Sequence, residues 1–412
     1  MSVPADRPSG SLRDGPGRLP QPAGSLDRTV EPLVIYGPAS HEYDFGPSHP
    51  FTPRRFGPSI DLMRALGADA FVAPRPATDA ELARVHDAQY IATVRMLADY
   101  PDASPTAGFE GSDTPAFYGM HEAASSVVGG TVTATERLLA GQREHAFHPG
   151  GGLHHAFPAL ASGFCIYNDL AVAIRLAREA GHRVLYVDLD VHHGDGVEAI
   201  FWNDRDVLTL SFHETGLALF PGTGFVEERG GHEAYGSAVN VPLEPGTSDP
   251  SWLAAVELVV PQVAEAFRPT FVVSQHGCDS HASDPLAHLQ VTTAAMSTAA
   301  RLVDGIAHRY ADGRWLATGG GGYDVYRVVP RAWSLVWLAQ AHRAVPEATP
   351  PEWRERWAAE AARYRQGPPP TTLLDGAEVA PREPVAVYDA NLATAQRALG
   401  RTLGILAERN GL

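Results

Sequence analysis

Short apolar runs recur along the chain, each closed by turn-forming residues: Pro32–Tyr36, Ala70–Ala73, Val184–Asp190, Val207–Phe212, Thr270–Ser274 and Trp315–Thr318. They are rich in β-branched and aromatic side chains, and continuous rather than alternating. That pattern predicts strands buried on both faces, as in a parallel sheet covered by helices. Between the runs, helix-like stretches fall over Glu122–Leu139, Asn168–Ala180, Pro250–Phe267 and Val291–Tyr310. Strands alternating with helices predict an α/β fold. After Ala344 the character changes. Thr349–Pro351 and Gly367–Pro370 read as Pro-rich linkers, and Leu392, Leu399, Leu403 and Leu406 lie at helical spacing. They predict a final amphipathic helix that packs back on the domain. Residues 1–30, rich in Pro, Gly, Ser and Arg without apolar periodicity, are expected to be disordered. The expected division is therefore 1–30, a main domain over 31–344, and a helical extension over 345–412.

The 412 residues suffice for one large α/β domain, and the 44% hydrophobic content is that of a soluble globular protein. No apolar run is long enough for a membrane span, and no apolar stretch follows a basic start. The cytoplasm is the expected location. The two cysteines, Cys165 and Cys278, fit a reducing compartment and lack zinc–thiolate spacing. A net charge of −16 disfavours nucleic acid and anionic lipid and favours basic partners such as lysine-bearing segments.

The candidate chemistry clusters where predicted strands end, the usual ligand edge of open α/β sheets. In Asp188-Leu-Asp-Val-His-His-Gly-Asp-Gly196, an extended strand would turn Asp188, Asp190 and His192 to one face. Two buried carboxylates on one face call for a compensating cation. A further ligand can come from Ser274-Gln-His-Gly-Cys-Asp-Ser-His-Ala-Ser-Asp-Pro285, where His276, Asp279, His281 and Asp284 are all available. Spacing does not choose among them. An Asp-His-Asp set suits Zn(II) with open positions, and also Fe(II) or Co(II). In Phe147-His-Pro-Gly-Gly-Gly-Leu-His-His-Ala156, the pair His154-His155 follows a glycine run. About one adjacent His pair is expected by chance at this composition, so the setting, not the pair, makes it a catalytic candidate. Surplus aspartates near position 190 can orient the two imidazoles differently. In Gly319-Gly-Gly-Gly-Tyr323, the glycines allow close approach to a ligand and Tyr323 can donate to an oxyanion. The plainer reading is a tight turn and a core tyrosine. His193, His213 and His276 read as supporting or core residues.

Taken together, these segments resemble the histone deacetylase superfamily, joined in order by Ser162-Gly-Phe-Cys-Ile-Tyr-Asn-Asp169 and Leu219-Phe-Pro-Gly-Thr-Gly224. Within it the chain is most similar to the bacterial acetoin-utilisation branch, through Tyr43-Asp-Phe-Gly-Pro-Ser-His-Pro50 and the Gln275–Leu286 run. The resemblance spans about residues 32 to 340. It implies an arginase-like three-layer α/β fold with a mainly parallel eight-stranded sheet and metal-dependent removal of acetyl or other short acyl groups from protein lysines. It assigns the metal, Zn(II) or Fe(II), to Asp190, His192 and Asp284. It pairs His154 with Asp188 and His155 with Asp195, and makes Tyr323 the carbonyl-polarising residue. Phe164, Phe220 and Gly321 become tunnel residues, Asp113 a rim residue that holds substrate backbone, and Arg55 a product-channel residue. A structural potassium ion is implied near Asp188, Asp190, His192 and Ser211. Two departures stand out: Ser283 replaces a common glycine, and Val291 occupies the position of an acid found in polyamine-specific relatives. The partners implied are acylated proteins, acyl-CoA synthetases among them, and the oligomeric state, monomer or homodimer, stays open. The rival readings are deacylation of small amines or polyamines, and a silent acyl-lysine binding module. An arginase-like ureohydrolase fits poorly, because a two-metal site needs more carboxylates.

Overall fold

The computed structural model describes residues 30–410 except 104, 105, 112, 377, 380 and 381. The stretch expected to be disordered thus lies, apart from Val30, outside the described residues. Eight strands form the sheet: β1 (Leu33–Ile35), β2 (Phe71–Val72), β3 (His145–His148), β4 (Val184–Asp188), β5 (Val207–Glu214), β6 (Ala238–Leu243), β7 (Phe271–Gln275) and β8 (Trp315–Thr318). Their order is β2-β1-β3-β8-β7-β4-β5-β6, and every pairing is parallel. The helices are α1 (Phe56–Ala65), α2 (Asp79–Leu82), α3 (Ala88–Asp99), α4 (Met120–Leu139), α5 (Asp169–Glu179), α6 (Asp195–Phe201), α7 (Asp249–Phe267), α8 (Thr293–Tyr310), α9 (Val329–Gln340), α10 (Pro351–Arg363) and α11 (Val385–Asn410).

Alternate strand residues feed two cores. Leu185, Val187, Val272 and Trp315 pack with apolar residues of α1, α7, α8 and α9. Val184, Tyr186, Phe271, Val273 and Leu316 face the opposite way, against α4, α5 and α6. Three layers result, as continuous apolar strands require. Because all strands run one way, their C-terminal residues share one edge. There His148 pairs with Thr318, Thr318 with Gln275, Gln275 with Asp188, and Asp188 with Ser211. A third cluster, with Tyr43, Phe51, Tyr90 and Tyr323, lies beside that edge.

The C-terminal segment lies against the body. Helix α11 packs on α7 and on the edge strand β6, burying Ala395, Ala398, Leu399 and Leu406. Leu392 and Leu403 are half-buried. Asn391 donates to the hydroxyls of Thr247 (2.6 Å) and Ser251 (2.8 Å) and accepts from the Glu244 amide (2.9 Å). The two Pro-rich stretches do not behave as linkers. The Thr349 amide donates to the Thr371 carbonyl at 2.9 Å and its hydroxyl to the Pro370 carbonyl at 2.6 Å, so the stretches close against each other around α10. Buried Trp353 then ties α10 to α1 by donating to the Pro58 carbonyl at 2.8 Å.

Candidate active site

Strand β4 ends at Asp188, two residues short of the sequence-based expectation, because aspartate side chains take over from the ladder. Asp188 Oδ1 accepts from the Asp190 amide (3.2 Å) and Asp190 Oδ1 from the His192 amide (3.0 Å), so two successive Asx turns replace extended strand. Asp190 and His192 still meet, while Asp188 Oδ2 is turned to His154 Nδ1 (2.8 Å) and the Tyr186 hydroxyl (2.5 Å). Asp190 is saturated with donors: its Oδ2 accepts from Gln275 Nε2 (2.7 Å) and the Gly321 amide (2.8 Å), and its Oδ1 faces His192 Nδ1 (3.1 Å).

Of the four loop candidates left open by spacing, two stand apart from this group. His276 pairs with the Ser274 hydroxyl (2.8 Å) and His281 with Asp375 (2.9 Å). Asp279 joins the group directly, its Oδ2 lying 3.2 Å from His192 Nδ1 and its Oδ1 accepting from the Val191 amide at 3.0 Å. Asp190, His192 and Asp279 offer ligand atoms within 4.8 Å of one another. The Asp284 carboxylate is outside that compact set and accepts from the amides of Leu286 (3.0 Å) and Tyr323 (2.8 Å). Asp284 is 8% exposed and Asp279 0%. Ser283 is not among the described residues with positive φ, which removes any backbone need for glycine there.

The donor set fits a divalent cation. Burial and the neighbouring Asp190 charge push the Asp279 carboxyl up to about 6, and burial with Asp279 raises Asp284 well above the usual carboxylate range. Burial alone would lower His192, yet Asp190 and Asp279 outweigh it and hold the imidazole at about 10. Buried anionic charge of this density is what an ion compensates. The cradle is also tailored. A Cβ at Gly277 would stand 1.9 Å from Asp190 Oδ2, and one at Gly321 1.9 Å from Asp279 Oδ2. Gly321→Ala is therefore expected to displace those carboxylates and to lower metal affinity and turnover by about 10-fold to 100-fold, the usual effect of disturbing groups that orient ligands. Metal titration and initial rates of the variant check this; wild-type values for both would refute the cradle.

The two imidazoles on the glycine loop differ in environment. His154 Nδ1 pairs with Asp188 at 2.8 Å, and His155 Nδ1 with Asp195 at 2.6 Å. Burial works against a proton on His154, but Asp188 and Asp190 outweigh it and hold the group at about 9. Burial, reinforced by His154, pushes His155 down to about 4. Asp169, which sequence reasoning left without a role, positions the loop: it accepts from the amides of Gly152 (3.1 Å) and Leu153 (2.8 Å) and from the Thr131 hydroxyl (2.6 Å). Asn168 anchors the same loop through the carbonyls of His154 and Ala156. Their signal was present in the Ser162–Asp169 segment, as polar residues ahead of an apolar helix.

A cavity of about 200 Å³ leads to these groups. Phe51, Phe164, Phe220 and Leu286 supply apolar wall, Asp113 lies on the lining, and Asp190, His192, His155, Gly321 and Tyr323 are reached from it. Phe220 is 45% exposed and stands edge-on to His155 at 5.0 Å, while Phe164 stands edge-on to Tyr323 at 6.1 Å. Phe164 has φ 68°, and is held by the Thr114 hydroxyl on its amide (3.0 Å) and the Tyr43 hydroxyl on its carbonyl (2.8 Å). Asp113 is exposed and accepts from the Gly163 amide at 3.2 Å. Burial pushes the Tyr323 phenol well up, so its hydroxyl keeps its proton. Arg55 is buried, donates to the Gly320 carbonyl at 2.6 Å and lies 4.1 Å over the Phe51 ring, behind the cavity wall.

Val291 is not at the cavity mouth as the resemblance suggested. It is fully buried, bridged to His281 and donating to the Ser280 carbonyl, and the loop presents Leu286 to the cavity instead. The Ser211 hydroxyl is turned to His213 (2.8 Å), whose Nε2 meets the Gly224 carbonyl (2.9 Å). His193 is occupied by Thr223 and Glu198.

Residues 49–340 match the family described as histone deacetylase domain. The chain is 45% identical over 332 residues to acetoin utilization protein AcuC of Bacillus subtilis (strain 168), covering 79% of this chain and 86% of that protein. It is 38% identical over 331 residues to the same protein of Staphylococcus xylosus, covering 78% and 86%. Among solved structures, a histone deacetylase homologue complexed with SAHA superposes with TM-score 0.77 at 30% identity, over 89% of this chain and all (100%) of that one. A homologue from Aquifex aeolicus gives TM-score 0.75 at 30% identity, with the same 89% and 100% coverage.

Proposed function

This chain belongs to the histone deacetylase family, in its acetoin-utilisation branch, and we propose that it hydrolyses acetyl-lysine, or another short acyl-lysine, in proteins. The observation that carries the substrate class is the cavity of about 200 Å³ whose lining joins aromatic walls to Asp190, His192 and His155. Such walls suit the aliphatic stem of a lysine whose amide head is neutral. Leu286, rather than an acid, faces the cavity from the loop after β7, which disfavours a cationic polyamine.

Asp190, His192 and Asp284 would hold the ion, zinc or ferrous iron. Asp284 is preferred to Asp279 because it retains some exposure, whereas Asp279 is sealed and engaged with the Val191 amide. Once bound, a divalent ion polarises the amide carbonyl and acidifies water. His155, its Nδ1 engaged by Asp195, has Nε2 left to take the proton of the attacking water and return one to the leaving amine. His154, fixed by Asp188, adds positive charge beside the forming anion. The Tyr323 hydroxyl donates to the oxygen that becomes anionic as the amide carbon turns tetrahedral. Asp113 at the rim would take substrate backbone, and Asp188, Asp190, His192 and Ser211 would hold a structural monovalent cation, potassium, that offsets local negative charge. Arg55 lies on the route of the released acid. Acylated enzymes such as acyl-CoA synthetases are the partners this reading implies. No described helix is long and apolar enough to cross a membrane.

Rates on an acetyl-lysine peptide and on N-acetylspermidine test the substrate class. The peptide is expected to be preferred in kcat/KM by about tenfold or more, since an unpaired ammonium in an apolar channel costs at least about 1.4 kcal/mol. Preference for the polyamine would overturn the assignment.

A further inference from the structure

A second set of ligand-type atoms converges at the other end of β3. His145 opens that strand, Asp304 and His308 lie one turn apart on α8, and His342 follows the last turn of α9. Their Nε2 atoms and Asp304 Oδ1 meet at a point. His145 and His342 each lie 3.1 Å from His308. Asp304 Oδ1 lies 3.3 Å from His145, 3.3 Å from His342 and 3.4 Å from His308. No side chain of the four is more than 6% exposed. Four donors at zinc–nitrogen and zinc–oxygen distances on the corners of a tetrahedron stand about 3.3 Å apart.

Hydrogen bonding alone does not satisfy this arrangement. Each Nε2 carries at most one hydrogen, so three protons would have to serve five short contacts. If all three point at Asp304, the two nitrogen–nitrogen contacts of 3.1 Å set donor against donor. If one points at another nitrogen, a contact to the carboxylate goes unserved. One cation at the centre satisfies every pair at once.

The backbone supplies a separate argument. His342 has φ 52°, at the position just past the helix end where glycine is the usual residue. A β-carbon in that conformation costs about 1 kcal/mol. The strain is tolerated where the side chain is needed in place.

We propose that His145, Asp304, His308 and His342 form a closed structural site for a divalent transition-metal ion, zinc by donor type. The ion pins the start of β3 to α8 and to the end of α9. Four protein donors leave no open position, so the site has no part in amide hydrolysis, and its existence does not depend on the function proposed above.

The test is zinc per chain, measured by mass spectrometry on the full-length protein after dialysis, in wild type, His308→Ala and His342→Gly. Each variant is expected to hold one equivalent less than wild type and to melt at lower temperature, with deacetylation by the folded enzyme kept within about twofold. His342→Gly is decisive where His308→Ala folds poorly. Without a ligand role, glycine at a left-handed position leaves zinc content unchanged and raises the melting temperature. Equal zinc content in His342→Gly and wild type overturns the proposal.

Discussion

Replacing Asp190 with asparagine is expected to abolish metal binding in the catalytic pocket and to reduce deacetylation at least about a thousandfold, or about 4 kcal/mol in the barrier. The geometry explains why even this isosteric change is severe. Donors surround both oxygens: the His192 amide on one side, Gln275 and the Gly321 amide on the other. Whichever way an asparagine is flipped, its NH2 faces a donor. A buried donor–donor clash costs about 1–3 kcal/mol, so the melting temperature should fall as well. His308→Ala, on α8 beside the start of β3, provides the contrast: it should lose a zinc equivalent yet keep activity. An Asp190→Asn enzyme with wild-type metal content and rate would remove Asp190 from the ligand set.

The contrast between those two variants also bears on what the sequence discloses. Six of the eight strands, β1, β2, β4, β5, β7 and β8, were legible as short apolar runs. Strand β3 was not, because His145 and His148 bracket only two apolar residues. Both histidines are buried for reasons held by distant parts of the chain: Asp304 and His308 in one case, Thr131 in the other. Strand β6 was hidden by Asn240 and Pro242. Proline is tolerated there because β6 is an edge strand, and α11 covers it from some 150 residues away in sequence.

At the site, what alternation and motif spacing can reach is the group Asp188, Asp190 and His192, and the paired imidazoles. The order of the segments carried the family. The choice between Asp279 and Asp284 is different in kind. The two carboxylates follow the end of β7 by four and nine residues, and what separates them is exposure and the amides they accept from. Val291 shows the same limit from the other side. Its position in the loop implied the cavity mouth, but its bridge to His281 draws it into the core.

Tyr323→Phe isolates the other large contribution, since it removes one oxygen and leaves every other contact of that residue in place. The backbone amide of Tyr323 still donates to Asp284, its carbonyl still accepts from Gln366, and the ring still meets Phe164 edge-on. Metal content, melting temperature and KM are therefore expected to stay close to wild type. The hydroxyl acts only as charge develops on the amide oxygen, so its loss should appear in kcat, by about 100-fold to 1,000-fold. A matched rise in KM with unchanged kcat would instead make Tyr323 a ground-state binding residue. Turnover within about fivefold of wild type, on a chain with full metal occupancy, would remove it from the chemistry and leave the oxyanion to the metal and the two imidazoles.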